Sequence, residues 1–426
     1  MQVTKHRFGK MLLCGVLSVC ILGTFAFLMS VTNFGTVGSP TVDPPTAYLD
    51  VTLPREIDVH FADWKHHEHD DETTTRYDVP IFWSIPLTGN DVIEEYLGGC
   101  LGLIQASEVG ILGNVDEEDD ASLKEVDIHG LSYINVDLRT RHGIEHATRM
   151  HLIDDHKNGD LSLTPDVVHT PLLYESAQLF ENPNVNQGKI ITILRDPMER
   201  AVALYQQIII SESWTKSAAG GGFMNDGSGG ANMMSLSDYA ESDYVENNWL
   251  TRTLCNKPTG RITEVDLKVA KEILRRKVLV GLYDNVPLAL SYFKHKFDWV
   301  NNKNNKHHLN QQRQRELKKR SLVTTVQKGG DFTKDHNYFY SHCTTIGVEE
   351  ALKKESEGWL WMKAEQLDQQ TQLVKGSYAW TLLKRENEFD IELYEYAKTV
   401  HEYQFSSYRH RGRHRGMKNE HSRGRN

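Results

Sequence analysis

The stretch that decides the fold is "FWSIPLTGNDVIEEYLGGC", residues 82–100. An apolar segment runs into Pro86, a short turn surrounds Gly89, and a helical pattern follows. Strand–turn–helix units of this kind aim backbone N–H groups at a phosphate. The stretch departs from a usual phosphate loop, because Leu87 stands where a cation would help and Asp91 adds a negative charge. It therefore predicts an α/β fold whose phosphate-type loop has lost its customary side chains.

The rest of the chain repeats this alternation of strand and helix. Apolar runs predict strands over residues 79–85, 132–137, 166–170, 189–195 and 277–283. Amphipathic patterns predict helices over residues 91–104, 143–153, 171–180, 198–210 and 264–276. Alternation of this kind indicates a parallel sheet covered by helices on both faces. Such sheets bind ligands at the carboxyl ends of their strands, where the loops at 86–91 and 195–200 are expected.

A second loop-bearing stretch is "ITILRDPMERAVALYQQ", residues 191–207. A buried strand ends at Arg195, and an amphipathic helix begins near Met198. Pro197 is suited to the first turn of that helix because it has no N–H to leave unpaired. Arg195 is thus delivered to a strand tip, where its guanidinium can bind a phosphate bidentately. The structural alternative is an arginine that pairs with Asp196 or with a helix C-terminus.

This stretch resembles the Golgi carbohydrate sulfotransferases of the heparan sulfate 6-O- and 2-O-sulfotransferase type. The family's 3′-phosphate loop reads R-D-P-x-x-R-x-x-S-x-Y. The matching positions here are Arg195, Asp196, Pro197, Arg200, Ala203 and Tyr205. Segments 247–254, 270–297 and 387–398 are similar to later family blocks and occur in the same order. The resemblance covers roughly residues 79–400.

The resemblance implies a fold, a cofactor and a reaction. The fold would be a three-layer, P-loop-like parallel sheet flanked by helices, the sulfotransferase fold. The donor would be 3′-phosphoadenosine 5′-phosphosulfate (PAPS), whose sulfuryl group passes to a glycan hydroxyl in the Golgi lumen. The implied cofactor-binding residues are Thr88, Gly89, Asn90, Arg195 and Arg200. No metal is expected.

The implied catalytic residue is His169, which follows "DVV" at a predicted strand end. It resembles the family's general base, and a neutral imidazole suits that role. A histidine at a strand end is also a common structural residue. Glu108 and Glu175 are weaker candidates for the base.

Three departures from the family pattern leave the activity open. The family's 5′-phosphosulfate loop reads I-P-K-T-G-G-T-T, and its lysine neutralises charge on the leaving phosphate. Here Leu87 replaces that lysine, Asp91 replaces a phosphate-binding residue, and Ala203 replaces the serine of the 3′-phosphate loop. Either another cation, such as Lys189 or one from segment 301–320, compensates, or the chain is a catalytically impaired pseudo-sulfotransferase. The latter would bind a glycan or regulate a partner.

The N-terminus predicts a membrane anchor. Residues 11–31 form an uncharged segment that is long enough to span a bilayer, and basic residues precede it. A cleaved signal peptide is the alternative. The predicted organisation is a cytosolic tail (1–10), a transmembrane signal anchor (11–31), a stem (32–78), a sulfotransferase-like domain (79–400) and a basic tail (401–426). This organisation and the resemblance predict a single-pass type II protein of the Golgi membrane with a lumenal domain.

Five cysteines do not make a disulfide scaffold. Cys14 and Cys20 lie in the predicted anchor, so Cys100, Cys255 and Cys343 remain for the lumen. Three cysteines allow one bridge and one free thiol, and the sequence does not select the pair. No N-x-Ser/Thr sequon occurs in the chain.

Charge and composition bound the partners. The chain is 39% hydrophobic and 25% charged with a net charge of −10, as expected for a largely globular protein. Segments 301–320 and 409–426 each carry seven Lys/Arg and one Glu, which suits either an acidic polysaccharide or simple solvation. Nucleic acid is not an expected partner in the lumen.

Other motifs point to alternatives that the chain supports less well. The G-x-x-x-x-G-K-[ST] pattern of P-loop NTPases is absent. The clusters at 66–71 and 116–120 contain possible metal ligands, but runs of polar residues are usually solvated. Segment 216–235 is glycine-rich and predicts a flexible loop, which is either a lid or a tolerated insertion.

Overall fold

The computed structural model describes most of the predicted lumenal part of the chain. The described residues are 44–48, 50–64, 77–113, 122–153, 164–218, 234–299, 343, 345–358 and 372–423. All of them belong to one compact unit, Pro44–Asn426. The predicted anchor (11–31) lies outside them, as do the two possible metal clusters and the basic segment 301–320.

A seven-stranded sheet in the order β3-β4-β2-β5-β1-β6-β7 organises the fold. All neighbouring pairs are parallel except β3 and β4, which are antiparallel. The strands are β1 (Tyr77–Trp83), β2 (Gln105–Ala106), β3 (Glu125–Ile128), β4 (Leu131–Ile134), β5 (Val167–Thr170), β6 (Asn186–Leu194) and β7 (Val278–Leu282). The predicted α/β class is confirmed, with an antiparallel strand at one edge of the sheet.

Helices connect and cover these strands. In chain order they are α1 (Arg55–His60), α2 (Asn90–Glu95), α3 (Arg141–Arg149), α4 (Pro197–Ala218), α5 (Leu236–Glu241), α6 (Trp249–Leu254), α7 (Glu264–Lys277), α8 (Val286–Lys296), α9 (Thr345–Gly358), α10 (Tyr378–Glu386) and α11 (Glu388–Arg423). A π-helical turn, Tyr96–Cys100, continues α2.

The alternation of side chains along β1 explains why both faces of the sheet are buried. Ile81 and Trp83 point into one apolar core, which α1, α3, α6, α7 and α11 cover. Phe82 points into a second core on the opposite face, beneath α2, α8 and α9. Side chains of successive strand residues point to opposite faces, so a strand buried on both sides reads as a continuous apolar run. That run is what made β1 predictable.

Two strands escaped the sequence-based prediction. Strand β2 contains only Gln105 and Ala106, and the edge strand β3 alternates polar and apolar residues over only four positions, Glu125–Ile128. Both are too short for a reliable apolar run or alternation, on which strand prediction depends. Segment 171–180, predicted to be a helix, contains only the 3₁₀ turn Glu175–Leu179.

Part of the predicted stem is folded. Helix α1 places Ile57 in the first core, and Phe61, which follows the helix, forms a bridge with Gly188 of β6. Gly188 permits this approach, since a Cβ there would lie 2.7 Å from Cδ1 of Phe61. Residues 50–64 thus belong to the folded body. A short helix in a polar setting has a weak pattern, so the sequence does not indicate it.

Reciprocal capping joins the two late segments that resemble sulfotransferase blocks. The Asp390 carboxylate accepts hydrogen bonds from the N–H groups of Leu250 and Thr251, both at 2.8 Å, in the first turn of α6. In return, Oδ1 of Asn248 accepts hydrogen bonds from the N–H groups of Phe389 and Asp390 at the start of α11. Each helix N-terminus is therefore capped by the other segment.

The structure selects the disulfide that the sequence left open. Cys100, at the end of the π-helical turn, is bonded to Cys343, and Cys255 is a free thiol. Burial raises the pKa of the Cys255 thiol to about 12, and its Sγ donates to the Asp266 carbonyl oxygen at 2.9 Å. Within the described ranges, no helix is both long and apolar enough to cross a bilayer.

Candidate functional site

The candidate site lies between the carboxyl ends of β1 and β6, which are adjacent in the sheet. The chain leaves β1 toward β2 on one side and leaves β6 toward β7 on the other. Neighbouring strands whose connections diverge in this way form a topological switch point, where open α/β sheets bind ligands. Both predicted phosphate loops, 86–91 and 195–200, follow these two strands.

The backbone of the first loop adopts an unusual conformation. Leu87 has a φ of 69° and Gly89 has a φ of 77°, both in the left-handed region. Glycine adopts this region freely, but a leucine pays on the order of 1 kcal/mol. Strain of this kind is concentrated at turns and ligand sites. Gly89 is the N-cap residue of α2, and no side chain caps that helix N-terminus.

The polar side chains of this loop point inward and hold it together. The Thr88 hydroxyl is fully buried and donates to the Ile85 carbonyl oxygen at 2.8 Å. The Asn90 amide donates to the same oxygen, also at 2.8 Å. Both side chains therefore brace the turn.

Arg195 connects the two loops. Its Nη1 donates to the Leu87 carbonyl oxygen at 3.2 Å, and its Nε lies 3.6 Å from Oε2 of Glu199. The guanidinium also stacks on the ring of Tyr283, with Cζ 4.4 Å from the ring centroid. Nε is buried and has no hydrogen-bond partner among the described residues. The arginine thus lies where the two loops meet.

The carboxylates beside Arg195 have separate tasks. Oδ1 of Asp196 accepts from the N–H groups of Met198 at 2.8 Å and Glu199 at 3.2 Å, so it caps α4. The structural alternative of an Arg195–Asp196 pair is not what the contacts show, because Glu199 takes that place. Burial raises the pKa of Glu199, while the charge of Arg195 lowers it.

Arg200 is buried. Its side chain is 8% exposed and forms a short ion pair with Glu246. Its Cζ lies 4.8 Å from the ring centroid of Trp249, which in turn stacks on Trp83. These contacts give Arg200 a structural role. The sequence pattern missed it because Glu246 and Trp249 lie more than forty residues further along the chain.

His169 is enclosed between the sheet and its helices. It is 2% exposed, pairs in register with Phe82, and has its ring centroid 5.4 Å from that of Phe82. Burial lowers the pKa of His169 to about 3, and Nε2 has no hydrogen-bond partner among the described residues. The imidazole is therefore neutral at physiological pH, as a base must be, but it is shielded from an acceptor in this conformation.

The alternative carboxylates lie at the same end of the sheet and are more exposed. Oε1 of Glu108, just after β2, pairs with Nη1 of Arg139 at 3.1 Å. Oε1 of Glu175, after β5, pairs with Nε of Arg141 at 2.8 Å. These surface ion pairs are weak, so either carboxylate can be released at little cost.

Lys189 cannot replace the missing loop lysine. It pairs in register with Pro80, in the middle of β1, and its Nζ lies 3.3 Å from Oδ2 of Asp78. Six residues of extended chain separate it from Arg195, which amounts to roughly 20 Å. The other proposed source, segment 301–320, lies outside the described residues.

Two features of the site were not foreseen from the sequence. One is Tyr283, whose ring supports Arg195 from the end of β7. The other is Glu94 of α2, a buried carboxyl that accepts a hydrogen bond from Ser107 at 2.6 Å. Glu94 occupies a position where a helical pattern predicts a solvent-facing residue, so periodicity alone hides it.

Comparisons with known proteins add no relative: no family model, curated protein or solved structure matches the chain. Among the described residues, no group of three or more His, Cys, Asp or Glu side chains is arranged to hold a metal ion. The chemistry of the site therefore rests on its own residues.

Proposed function

We propose that the chain is a PAPS-dependent carbohydrate O-sulfotransferase-like protein whose cofactor crevice lies between the loops after β1 and β6. The single observation that carries this proposal is the Arg195–Leu87 contact. Two stretches that resemble the family's separate phosphate loops, more than one hundred residues apart, meet at the switch point through this hydrogen bond.

The residues present fit the two phosphates of PAPS unequally. Arg195 suits the 3′-phosphate, because Tyr283 supports its guanidinium at the point where the two loops meet. Backbone N–H groups at the start of α2, which no side chain caps, suit the 5′-phosphate. Thr88 and Asn90 shape that loop, and Arg200 supports α4 from behind. In this proposal neither Thr88 nor Asn90 nor Arg200 touches the cofactor through its side chain.

PAPS would supply the sulfuryl group, and the acceptor oxygen would form the new O–S bond as the S–O bond to the 5′-phosphate breaks. The hydroxyl proton must pass to a base of this chain. His169 could serve only after a movement that opens its burial site. Glu108 and Glu175 follow β2 and β5 at the same end of the sheet and are more exposed than His169, so they are the bases that the described conformation favours.

A second candidate function is a pseudo-sulfotransferase that binds PAPS or its product PAP without turnover. Two observations favour it: an apolar side chain at Leu87, and the complete burial of His169. Loss of one charge-stabilising contact typically costs 10²–10³ in rate. Such a protein would act by binding a glycan or regulating a partner.

The proposed location is the Golgi lumen behind a type II membrane anchor formed by residues 11–31. The Cys100–Cys343 disulfide supports a secretory compartment, because disulfides persist mainly in oxidising environments. The proposed acceptor is a carbohydrate, including acidic polysaccharides, and the proposal requires no nucleic acid and no metal.

Transfer of radiolabelled sulfate from PAPS to a panel of glycans tests this function. We expect incorporation by the full-length chain, a loss of at least 100-fold in Arg195→Ala, and no such loss in Arg149→Ala, which removes an exposed arginine at the end of α3. Incorporation that survives Arg195→Ala unchanged would contradict the proposed site. PAP binding without incorporation into any glycan would select the pseudo-sulfotransferase.

A further inference from the structure

A buried polar cluster lies beneath α2, on the sheet face that this helix covers. Glu94 of α2 accepts a hydrogen bond from the Ser107 hydroxyl at 2.6 Å. Ser107 directly follows β2, and Gln105 of β2 pairs in register with Tyr133 of β4. These four side chains, from one helix and two strands, replace what would otherwise be a continuous apolar contact.

The cluster is almost completely removed from solvent. Gln105 and Ser107 are fully buried, Tyr133 is 3% exposed and Glu94 is 9% exposed. Both side-chain polar atoms of Gln105 lack a hydrogen-bond partner within the described residues. Gly98 makes room for this amide, since a Cβ there would lie 2.5 Å from Nε2 of Gln105. Buried polar groups with incomplete partners are costly, so the cluster is sensitive to any change of charge.

The charge that can change is that of Glu94. Burial, together with the smaller effects of the negative charges of Glu108 and Asp91, raises the pKa of Glu94 to about 7. Hydrogen bonds from Ser107 and Tyr133 act in the opposite direction. A carboxyl in this state gains or loses its proton near neutral pH, where an ordinary glutamate is fully ionised.

The surroundings explain why ionisation is disfavoured. On its own helix Glu94 has Asp91 and Glu95 as neighbours, and Glu108 approaches from the turn after β2. Arg139 is the cation paired with Glu108, and its side chain is 63% exposed. Helix α9, which packs on α2, contributes the buried apolar side chains Val348, Ala351 and Leu352.

We propose that Glu94 is a positioning residue that makes helix α2, and the phosphate loop that leads into it, responsive to pH. With a neutral Glu94, α2 packs closely on β2 and β4. Ionisation places a carboxylate in the apolar layer beside two other acidic groups, which loosens α2 and displaces the loop 85–90. This inference rests on the proposed function for its effect on PAPS, but the movement of α2 is a property of the chain alone.

The first test therefore contains no ligand. Unfolding of the full-length chain by urea is measured near pH 5.5 and pH 8, for the wild type and Glu94→Gln. Because the folded-state pKa exceeds the unfolded value, stability is present at low pH and is lost as pH rises through about 7. Relative to Glu94→Gln, we expect the wild-type unfolding constant to rise about 30-fold over this interval.

Two further variants sharpen this comparison. Glu95→Gln makes the same chemical change at the neighbouring, less buried position and should keep the wild-type pH dependence. Ser107→Ala removes a donor that favours the ionised carboxyl, so the transition should move to higher pH. Equal pH dependence in the wild type and Glu94→Gln would overturn the proposal.

Hydrogen exchange locates the effect. Protection of the amides of α2, normalised for intrinsic exchange, should fall several-fold from pH 6 to pH 8 in the wild type and stay constant in Glu94→Gln. Loss of protection elsewhere but not in α2 would overturn the proposal.

A titration with PAP at both pH values connects the cluster to the site. We expect weaker binding at pH 8 in the wild type only, and an identical pH effect in Glu94→Gln would overturn the coupling. Absence of PAP binding at every pH would remove the proposed function, while pH-dependent protection of α2 would still support a responsive helix.

Discussion

Arg195 donates a hydrogen bond from Nη1 to the carbonyl oxygen of Leu87 at 3.2 Å, and this contact joins the loop after β6 to the loop after β1. The ring of Tyr283 supports the guanidinium from β7. One arginine therefore holds three strand ends in a fixed relation. Its removal should affect both the shape of the crevice and its charge.

The first prediction separates these two effects. Arg195→Lys keeps the charge but loses the planar fork, and Arg195→Ala loses both. We expect affinity for PAP to fall about 10-fold in the lysine variant and at least 100-fold in the alanine variant, as measured by titration calorimetry. Stability should fall by about 1 kcal/mol in the alanine variant.

Arg139→Ala is the matched control for PAP binding, because it removes an exposed arginine that pairs with Glu108 rather than with either phosphate loop. Its affinity for PAP should stay within about threefold of the wild type. An equal loss in Arg139→Ala and Arg195→Ala would indicate long-range charge rather than a built contact.

His169 gives a second prediction, on acid stability. Its pKa is lowered to about 3 from an unfolded value near 6.5, so only the unfolded chain takes up a proton between these values. Stability is therefore present above pH 6.5 and is lost as the pH falls. His169→Gln should abolish about 2 kcal/mol of the loss between pH 7.5 and pH 5, measured by urea unfolding.

His142→Gln, at an exposed position of α3, is the control and should leave the pH dependence unchanged. The effect of His169 on stability is opposite in sign to that of Glu94. His169 lowers stability as the pH falls, and Glu94 lowers it as the pH rises. Wild-type acid sensitivity in His169→Gln would mean that the imidazole is accessible to protons in the folded chain.

The third prediction concerns the reciprocal cap between α6 and α11. Asp390→Ala leaves the N–H groups of Leu250 and Thr251 without their acceptor in a buried site. We expect a loss of about 3 kcal/mol in the free energy of unfolding, measured by urea titration.

Glu388→Ala changes an exposed carboxylate in the same first turn of α11 and should cost no more than about 0.5 kcal/mol. Equal losses in both variants would attribute the effect to the helix dipole rather than to the cap.

The fourth prediction concerns the disulfide. Cys100→Ser with Cys343→Ser removes a bridge between residues 243 apart in sequence. Long closed loops restrict the unfolded chain most, so we expect a loss of about 2–5 kcal/mol. Reduction of the wild type should lower its stability to that of the double variant, and mass spectrometry should find Cys255 as the free thiol. A free Cys100 in the unreduced protein would contradict the bridge.

The sequence predicted the parallel α/β sheet because its buried strands are continuous apolar runs. It also predicted which loops lie at one end of the sheet, since that follows from strand direction alone. It could not place side chains. Thr88 and Arg200 face inward because of partners at Ile85 and Glu246, and a motif specifies neither contact.

The sequence also could not predict which site residues are buried. His169 at a strand end reads as an accessible base, but α2 covers the face of β5 on which it lies. The position of Lys189, in contrast, was predictable, because six residues of extended chain separate it from Arg195. The two-residue strand β2 and the folded part of the stem are too short for periodicity to detect.

Binding of PAP to the full-length chain, to Arg195→Ala and to Leu87→Lys, measured by titration calorimetry, tests the proposed crevice most directly. We expect binding to the wild type, loss of binding in Arg195→Ala, and at least 10-fold tighter binding in Leu87→Lys, which restores a cation to the loop. No binding to the wild type or to Leu87→Lys would contradict a phosphate crevice between β1 and β6.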